Sequence, residues 1–152
     1  MARGSHRGLN PPAYFLAGLV AIIALALRVP SGSISSPVFE VAGVILIAVG
    51  VWLNVRGSTQ FERAGTPIRP GSCGGALVTE GVFRLSRNPM YLGLASILFG
   101  AGLGLGSVAG LVVTPLFVGS INARFIPMEE RILEEEFGEA YDAYRVRVRR
   151  WI

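Results

Sequence analysis

Long apolar runs broken by short polar segments dominate the chain. Ala13 to Leu27 carries no charge and is closed by Arg28 and Pro30. It is shorter than the roughly 20 residues that cross a hydrocarbon core, so flanking residues, tilt or a thin site must complete it. No small-x-small site follows before the Ser/Gly/Pro loop at 31–37, so the run reads as a span and not as a cleaved signal peptide. Val38 to Val55 is a second apolar run, with Glu40 near its start and Trp52 at the aromatic-belt position near its end. Pro89 to Phe125 is apolar apart from Asn122 and Arg124, and is too long for one span. Gly100, Gly102, Gly104, Gly106 and Ser107 mark a tight turn near its middle, and the glycines also allow close helix approach. The pattern predicts an all-α polytopic membrane protein with about four spans, near 13–28, 38–55, 89–103 and 108–125, in one domain over 1–152.

The polar segments complete the outline. Residues 1–12 are a polar tail, and 56–88 is one long connection punctuated by Gly65, Pro67, Pro70, Gly71, Gly74 and Gly75. From Met128 to Val148 a single amphipathic helix is expected, because Leu133, Phe137, Tyr141, Tyr144 and Val148 recur at helical spacing. Acids crowd its start and Arg145, Arg147, Arg149 and Arg150 its end, which complements the helix dipole. Such a helix is expected to lie on the membrane face.

Composition sharpens this reading. Only 16% of residues are charged, against about 25% in soluble domains. The net charge of +4 comes from arginines beside apolar runs, which suits anionic headgroups and speaks against nucleic acid. The 31–37 loop and the 103–107 turn hold no basic residue, so the termini, the long connection and the active site are expected on the cytoplasmic side of an inner (plasma) membrane. Lysine is absent, and no function is drawn from that. The lone Cys73 excludes an internal disulfide or a thiolate metal cluster and reads as a loop residue. His6 lies in the polar tail, and no metal-ligand spacing or nucleophile–base pattern is present. The Gly-x-Gly-x-Gly at 102–106 follows no strand and is no nucleotide loop.

Two polar clusters stand at the ends of the apolar hairpin. In Ser86-Arg87-Asn88-Pro89, asparagine is a favoured N-cap and proline a favoured first helical residue. The helix start presents free amides to an anion, Arg84 and Arg87 add charge, and Tyr91 adds a hydroxyl one turn in. A capped helix with arginines on headgroups explains the same residues without chemistry. At the other end, Glu129 and Glu130 point to different sides of their helix, and a buried carboxylate there needs a cationic partner. Acids favoured by the dipole in a first helical turn are the plainer reading.

Taken together, Leu77-Val-Thr-x-Gly81, Arg87-Asn-Pro-Met-Tyr-Leu-Gly93, Glu129-Glu-x-x-Leu133 and Phe137-Gly-x-x-Tyr141-x-x-Tyr144 resemble the isoprenylcysteine carboxyl methyltransferase family and its bacterial relatives. More distantly, the chain is similar to phospholipid N-methyltransferases. Thr66-Pro-Ile-x-Pro70 also looks like bacterial members, and the resemblance covers about residues 50–152. It implies an integral membrane enzyme that binds S-adenosyl-L-methionine near the cytosolic face and takes a lipophilic substrate from the bilayer. By this resemblance Val78 and Gly81 lie on the cofactor's path, and Asn88, Tyr91, Leu92 and Gly93 line its site. Arg87 stands beside its carboxylate, and Glu129 or Glu130 meets its cationic end. For a carboxylate acceptor Arg124 is the candidate positioning residue; for an amine, Glu129 is the candidate base. Asn88 stands where prenylcysteine enzymes commonly have histidine, and Phe83 where tyrosine is frequent. A lipid amine methyltransferase and a non-enzymatic small membrane protein are the rival readings.

Overall fold

The computed structural model describes residues 10–28, 36–65 and 75–152. The tail with His6, the Thr66–Pro70 element, Cys73 and most of the 31–37 loop lie outside the described residues. The described elements are α1 (Pro11–Arg28), α2 (Pro37–Arg63), a 3₁₀ turn (Gly81–Arg84), α3 (Pro89–Gly104), α4 (Val108–Arg124), α5 (Ile126–Phe137) and α6 (Glu139–Arg147). Three stretches are long and apolar enough to cross a membrane: Pro11–Arg28, Pro37–Arg63 and Gly110–Phe137; Pro89–Gly104 is a shorter apolar helix. The third stretch runs on past Phe125 into α5, and α4 is its apolar part.

The all-α membrane architecture is the expected one, with two corrections. α2 does not end at Val55 but continues through Arg63 into the predicted connection. Ser58 and Thr59 allow this by turning their hydroxyls back onto the Val55 carbonyl, at 3.0 and 2.7 Å. The helix leaves the apolar zone near Trp52, which is exposed and has the Arg56 guanidinium 6.0 Å from its ring centre. The second correction concerns the carboxyl-terminal helix, which breaks into α5 and α6 at Gly138. That glycine sits at φ +48°, a conformation that side chains disfavour. The apolar stripe is also not laid on a membrane. Tyr141, Tyr144 and Val148 are buried against Leu53, Val82 and Phe83, with Leu133 and Phe137 beside them. The chain's own cap covers the stripe.

The helix pair that organises the bundle is α2 with α3. They run antiparallel along two glycine rows, each with a seven-residue spacing that returns to one helix face: Gly43, Gly50 and Gly57 on α2, Gly93 and Gly100 on α3. A Cβ added to Gly43 falls 2.6 Å from the Gly100 carbonyl oxygen, and one added to Gly50 collides with the Gly93 carbonyl. At Gly57 it falls 2.8 Å from Met90 Cγ. Backbone therefore rests on backbone, as small residues permit between membrane helices. α1 and α4 complete the bundle: Ile22, Leu98, Phe117 and Ile121 form its core with Ala95 and Ile126. Ser107 caps α4 by accepting from the Gly110 amide at 3.0 Å. Tyr14 meets Phe125 edge-on, which brings the start of α1 to the end of α4. One end of the bundle thus collects the start of α1, the end of α2, the start of α3 and the α4–α5 junction.

Gly50→Ala should cost about 1–3 kcal/mol, because neither facing backbone can yield. Gly119→Ala, at a helical glycine with nothing near its added Cβ, should stay within about 1 kcal/mol of the parent and lean towards stabilisation. Thermal unfolding in detergent compares the two; equal effects would remove the seam from its organising role.

Candidate active site

The site is assembled from the cap downwards. Gln60, on the polar extension of α2, donates from Nε2 to the Glu80 carbonyl at 2.9 Å and accepts from the Val82 amide at 3.2 Å. Between these two contacts Gly81 takes φ +56°, and a Cβ there would collide with Gln60. The 3₁₀ turn that follows buries Phe83, which meets Phe61 edge-on at 5.2 Å. Its carbonyl accepts the Tyr144 hydroxyl at 2.7 Å. α2, the turn and α6 are thereby locked together just before α3 begins.

The entrance to α3 is held by the chain's own carboxyl-terminal segment. The Arg87 amide donates to the Arg149 carbonyl at 2.9 Å. The Arg150 carbonyl accepts from Ser86 Oγ at 3.2 Å and from Asn88 Nδ2 at 3.0 Å. Asn88 occupies the N-cap position, but its side chain makes no capping bond. Its side-chain amide donates instead to the Arg150 carbonyl. Ser86, fully buried, takes the Asn88 amide at 3.1 Å. The first-turn amides of α3 that follow Pro89 have no acceptor within their own helix.

Next to this turn the two glutamates part company. Glu130 Oε1 accepts from Arg87 Nη1 at 3.0 Å, and Arg150 grips the same carboxylate side-on, Nε to Oε1 at 3.1 Å and Nη2 to Oε2 at 2.6 Å. Arg150 Nη1 reaches Asn122 Oδ1 at 3.2 Å, and Arg87 Nη1 lies 3.3 Å from the Tyr141 hydroxyl. Arg87 Nε is buried with no hydrogen-bond partner among the described residues, whereas buried donors are usually satisfied. Glu129, pointing about 100° away around the helix, takes the Tyr91 hydroxyl at 2.6 Å. Both entrances, α3 and α5, therefore meet through charged or strongly polar pairs.

Arg87, Asn88, Tyr91, Glu129 and Glu130 come together as the sequence led one to expect. Val78 and Leu92 pack in the cap beside them. Gly81 is exposed at the Gln60 clasp, where its backbone conformation requires glycine. Gly93 faces α2 within the helix seam, where an added Cβ would strike Asn54 Nδ2 and the Gly50 carbonyl. Arg124 is exposed and donates to the Tyr14 hydroxyl at 3.0 Å. Among the described residues it forms no ion pair with either glutamate. Sequence reasoning missed Arg150, Asn122, Gln60 and Trp151. Trp151, packed against the bundle core, offers the one available signal: an aromatic residue directly after the arginine run suggests a buried anchor.

The sequence matches the phospholipid methyltransferase family over residues 38–140. The chain belongs to that family. The match takes in both helix entrances and stops just short of Tyr141. A Haemophilus influenzae protein described only as uncharacterised is 40% identical over 63 residues, which is 41% of this chain and all of that protein. No solved structure matches the chain. Family membership marks a methyltransferase, and the helices place it in a membrane.

Burial is the main cause that pushes the Tyr141 and Tyr144 hydroxyls above the usual 10.0, with the Glu130 carboxylate adding to it at Tyr141. Their folded values exceed the unfolded ones, so this contribution to stability is full below pH 10.0 and is lost as pH rises further. Unfolding temperature should fall above that pH. Tyr144→Phe should cost about 1 kcal/mol at neutral pH, through the lost bond to Phe83, and show a shallower alkaline decline. An unchanged alkaline slope in Tyr144→Phe would contradict the assignment.

Proposed function

We propose that this protein transfers a methyl group from S-adenosyl-L-methionine to a lipophilic acceptor drawn from the bilayer, at the cytoplasmic face of the plasma membrane. One observation carries the reading. The α3 and α5 entrances are joined, Arg87 to Glu130 and Tyr91 to Glu129, at the edge of the apolar bundle.

The side chains suit a zwitterionic sulfonium. A carboxylate is matched by the Arg87 guanidinium and by the first-turn amides of α3. The unpartnered Arg87 Nε is one more donor on that side. An ammonium is matched by Glu130, whose Oε2 takes one hydrogen bond and keeps acceptor capacity. When bound, the donor supplies an electrophilic methyl on a sulfonium. The protein aligns the acceptor with it and excludes water; the walls available for this are Leu92 and Val78 of the cap and Tyr91 and Leu94 of the bundle core.

An amine acceptor fits these residues better than a carboxylate. An amine must lose a proton as its nitrogen–methyl bond forms and the sulfur–methyl bond breaks, leaving a neutral thioether. Glu129 is a partly buried carboxylate whose partner is the Tyr91 hydroxyl, which can release it as the proton arrives. A carboxylate acceptor calls instead for a cation, and the Arg124 guanidinium is turned to Tyr14.

Purified protein in lipid nanodiscs, given methyl-labelled donor, should label an aminophospholipid and not a prenylcysteine analogue. Glu129→Gln should lower kcat by about 100-fold or more while donor binding is kept. Arg87→Ala should weaken donor binding by about tenfold. Failure of the folded parent to bind the donor in calorimetry would overturn the enzymatic reading. Labelling of the prenylcysteine analogue alone would replace the amine with a carboxyl acceptor.

A further inference from the structure

The carboxyl-terminal segment does more than end the chain. After α6 stops at Arg147, Val148 turns into extended backbone and is buried in the cap. Trp151, three residues on, packs against the bundle core. Arg150 lies between these two anchors. Its backbone carbonyl holds Ser86 and Asn88 at the entrance of α3, while its guanidinium joins Asn122 near the end of α4 to Glu130 on α5. One residue thus ties together the elements that frame the proposed donor seat.

We propose that Arg150 is a positioning residue for methyl transfer: its side-on grip fixes the orientation of the Glu130 carboxylate that receives the donor. The proposal rests on the functional reading above. Arg87 alone cannot fix that orientation, because it meets Glu130 at Oε1 only. The terminal torsion of a glutamate is broad, so a carboxylate held at one oxygen can still turn about that contact. Arg150 closes the second point at Oε2, 2.6 Å away, and the planar guanidinium sets the plane of the carboxylate with it.

Charge alone would give the opposite expectation. Removing a cation from beside the seat of a cationic donor should favour binding. The Arg150 side chain is 35% exposed, however, and a charge in that position is strongly screened. The two-point geometry does not depend on long-range charge, so its loss should dominate. Any substitution of the side chain keeps the backbone carbonyl that Ser86 and Asn88 hold, and so leaves the strap attached.

The test compares Arg150→Lys, Arg150→Gln, Glu130→Gln and the Arg150→Gln/Glu130→Gln pair by donor calorimetry, turnover and unfolding temperature in the full-length protein. Lysine keeps the charge and loses the fork. Both Arg150 variants should therefore weaken donor affinity by about tenfold and raise the donor KM to match, with kcat at saturating donor within about threefold of the parent. In the Glu130→Gln background, Arg150→Gln should add no further loss, since it acts through that carboxylate. If Arg150 variants fold poorly, Asn122→Ala, which removes only the Nη1 contact, should shift donor affinity in the same direction by a smaller factor. Parental affinity in Arg150→Lys, tighter binding in Arg150→Gln, additive losses in the double variant, or parental affinity in a folded Asn122→Ala would each overturn the proposal while leaving the enzymatic reading intact. A parent protein that binds no donor would overturn both.

Discussion

Backbone contact between α2 and α3 is the constraint from which the rest of the molecule follows. With Gly43 facing Gly100 and Gly50 facing Gly93, neither helix can slide without driving a carbonyl into its partner. Dispersion over many close atoms is what a lipid environment leaves to hold helices together, since apolar burial against lipid gains little. The seam also sets depth. It aligns the entrance of α3 with the polar extension of α2, so that Met90 lies over Gly57 and Gln60 lies within reach of Glu80 and Val82. A slip by one helical turn would separate the Gln60 clasp from the 3₁₀ turn and leave the cap without its footing.

Above the seam the chain builds two apolar clusters, one inside the bundle and one beneath the cap, and the charged network stands where they meet. Tyr91 and Leu92 show the division: adjacent on α3, one packs at the edge of the bundle core and the other in the cap. The two glutamates repeat that divergence on α5. Because successive helical residues point about 100° apart, Glu130 turns to the arginines and Glu129 to the Tyr91 hydroxyl. An Arg87 side chain only 12% exposed and a Glu130 side chain only 16% exposed have lost much of their water. Each would be costly to bury alone, and pairing with good geometry offsets that cost. The carboxyl-terminal strap completes the arrangement by carrying a second guanidinium to the same carboxylate and an indole to the core.

Much of the fold was legible because apolar length and proline or glycine punctuation are local signals. Asn88-Pro89 marked the start of α3 and the glycines after Gly100 marked its end, and both fall where expected. The end of α2 was hidden, because Arg56 to Arg63 is polar apart from Gly57 and Phe61 and reads as loop until the Gln60 clasp and the Phe61–Phe83 contact are seen. Gly138 was hidden inside an unbroken apolar stripe, since the stripe's spacing survives a break that the cap absorbs. Of the site, the meeting of Arg87, Tyr91 and the paired glutamates followed from two helix entrances at one end of a hairpin. Arg150 did not follow. Its partners lie 20, 28, 62 and 64 residues away in sequence, and an arginine among three others near a helix end is explained well enough by the dipole.

Asn88 shows how such non-local contacts change the meaning of a motif residue. A histidine in this place, as prenylcysteine enzymes commonly have, invites a proton-transfer role. Here the side chain donates to the Arg150 carbonyl, and its own amide is taken up by Ser86. The position therefore needs a hydrogen-bond donor of the right reach, which asparagine supplies at every pH and a neutral imidazole supplies through one ring nitrogen. On this geometry the residue fixes the strap to the helix entrance, and the Tyr91–Glu129 pair lies one turn further along.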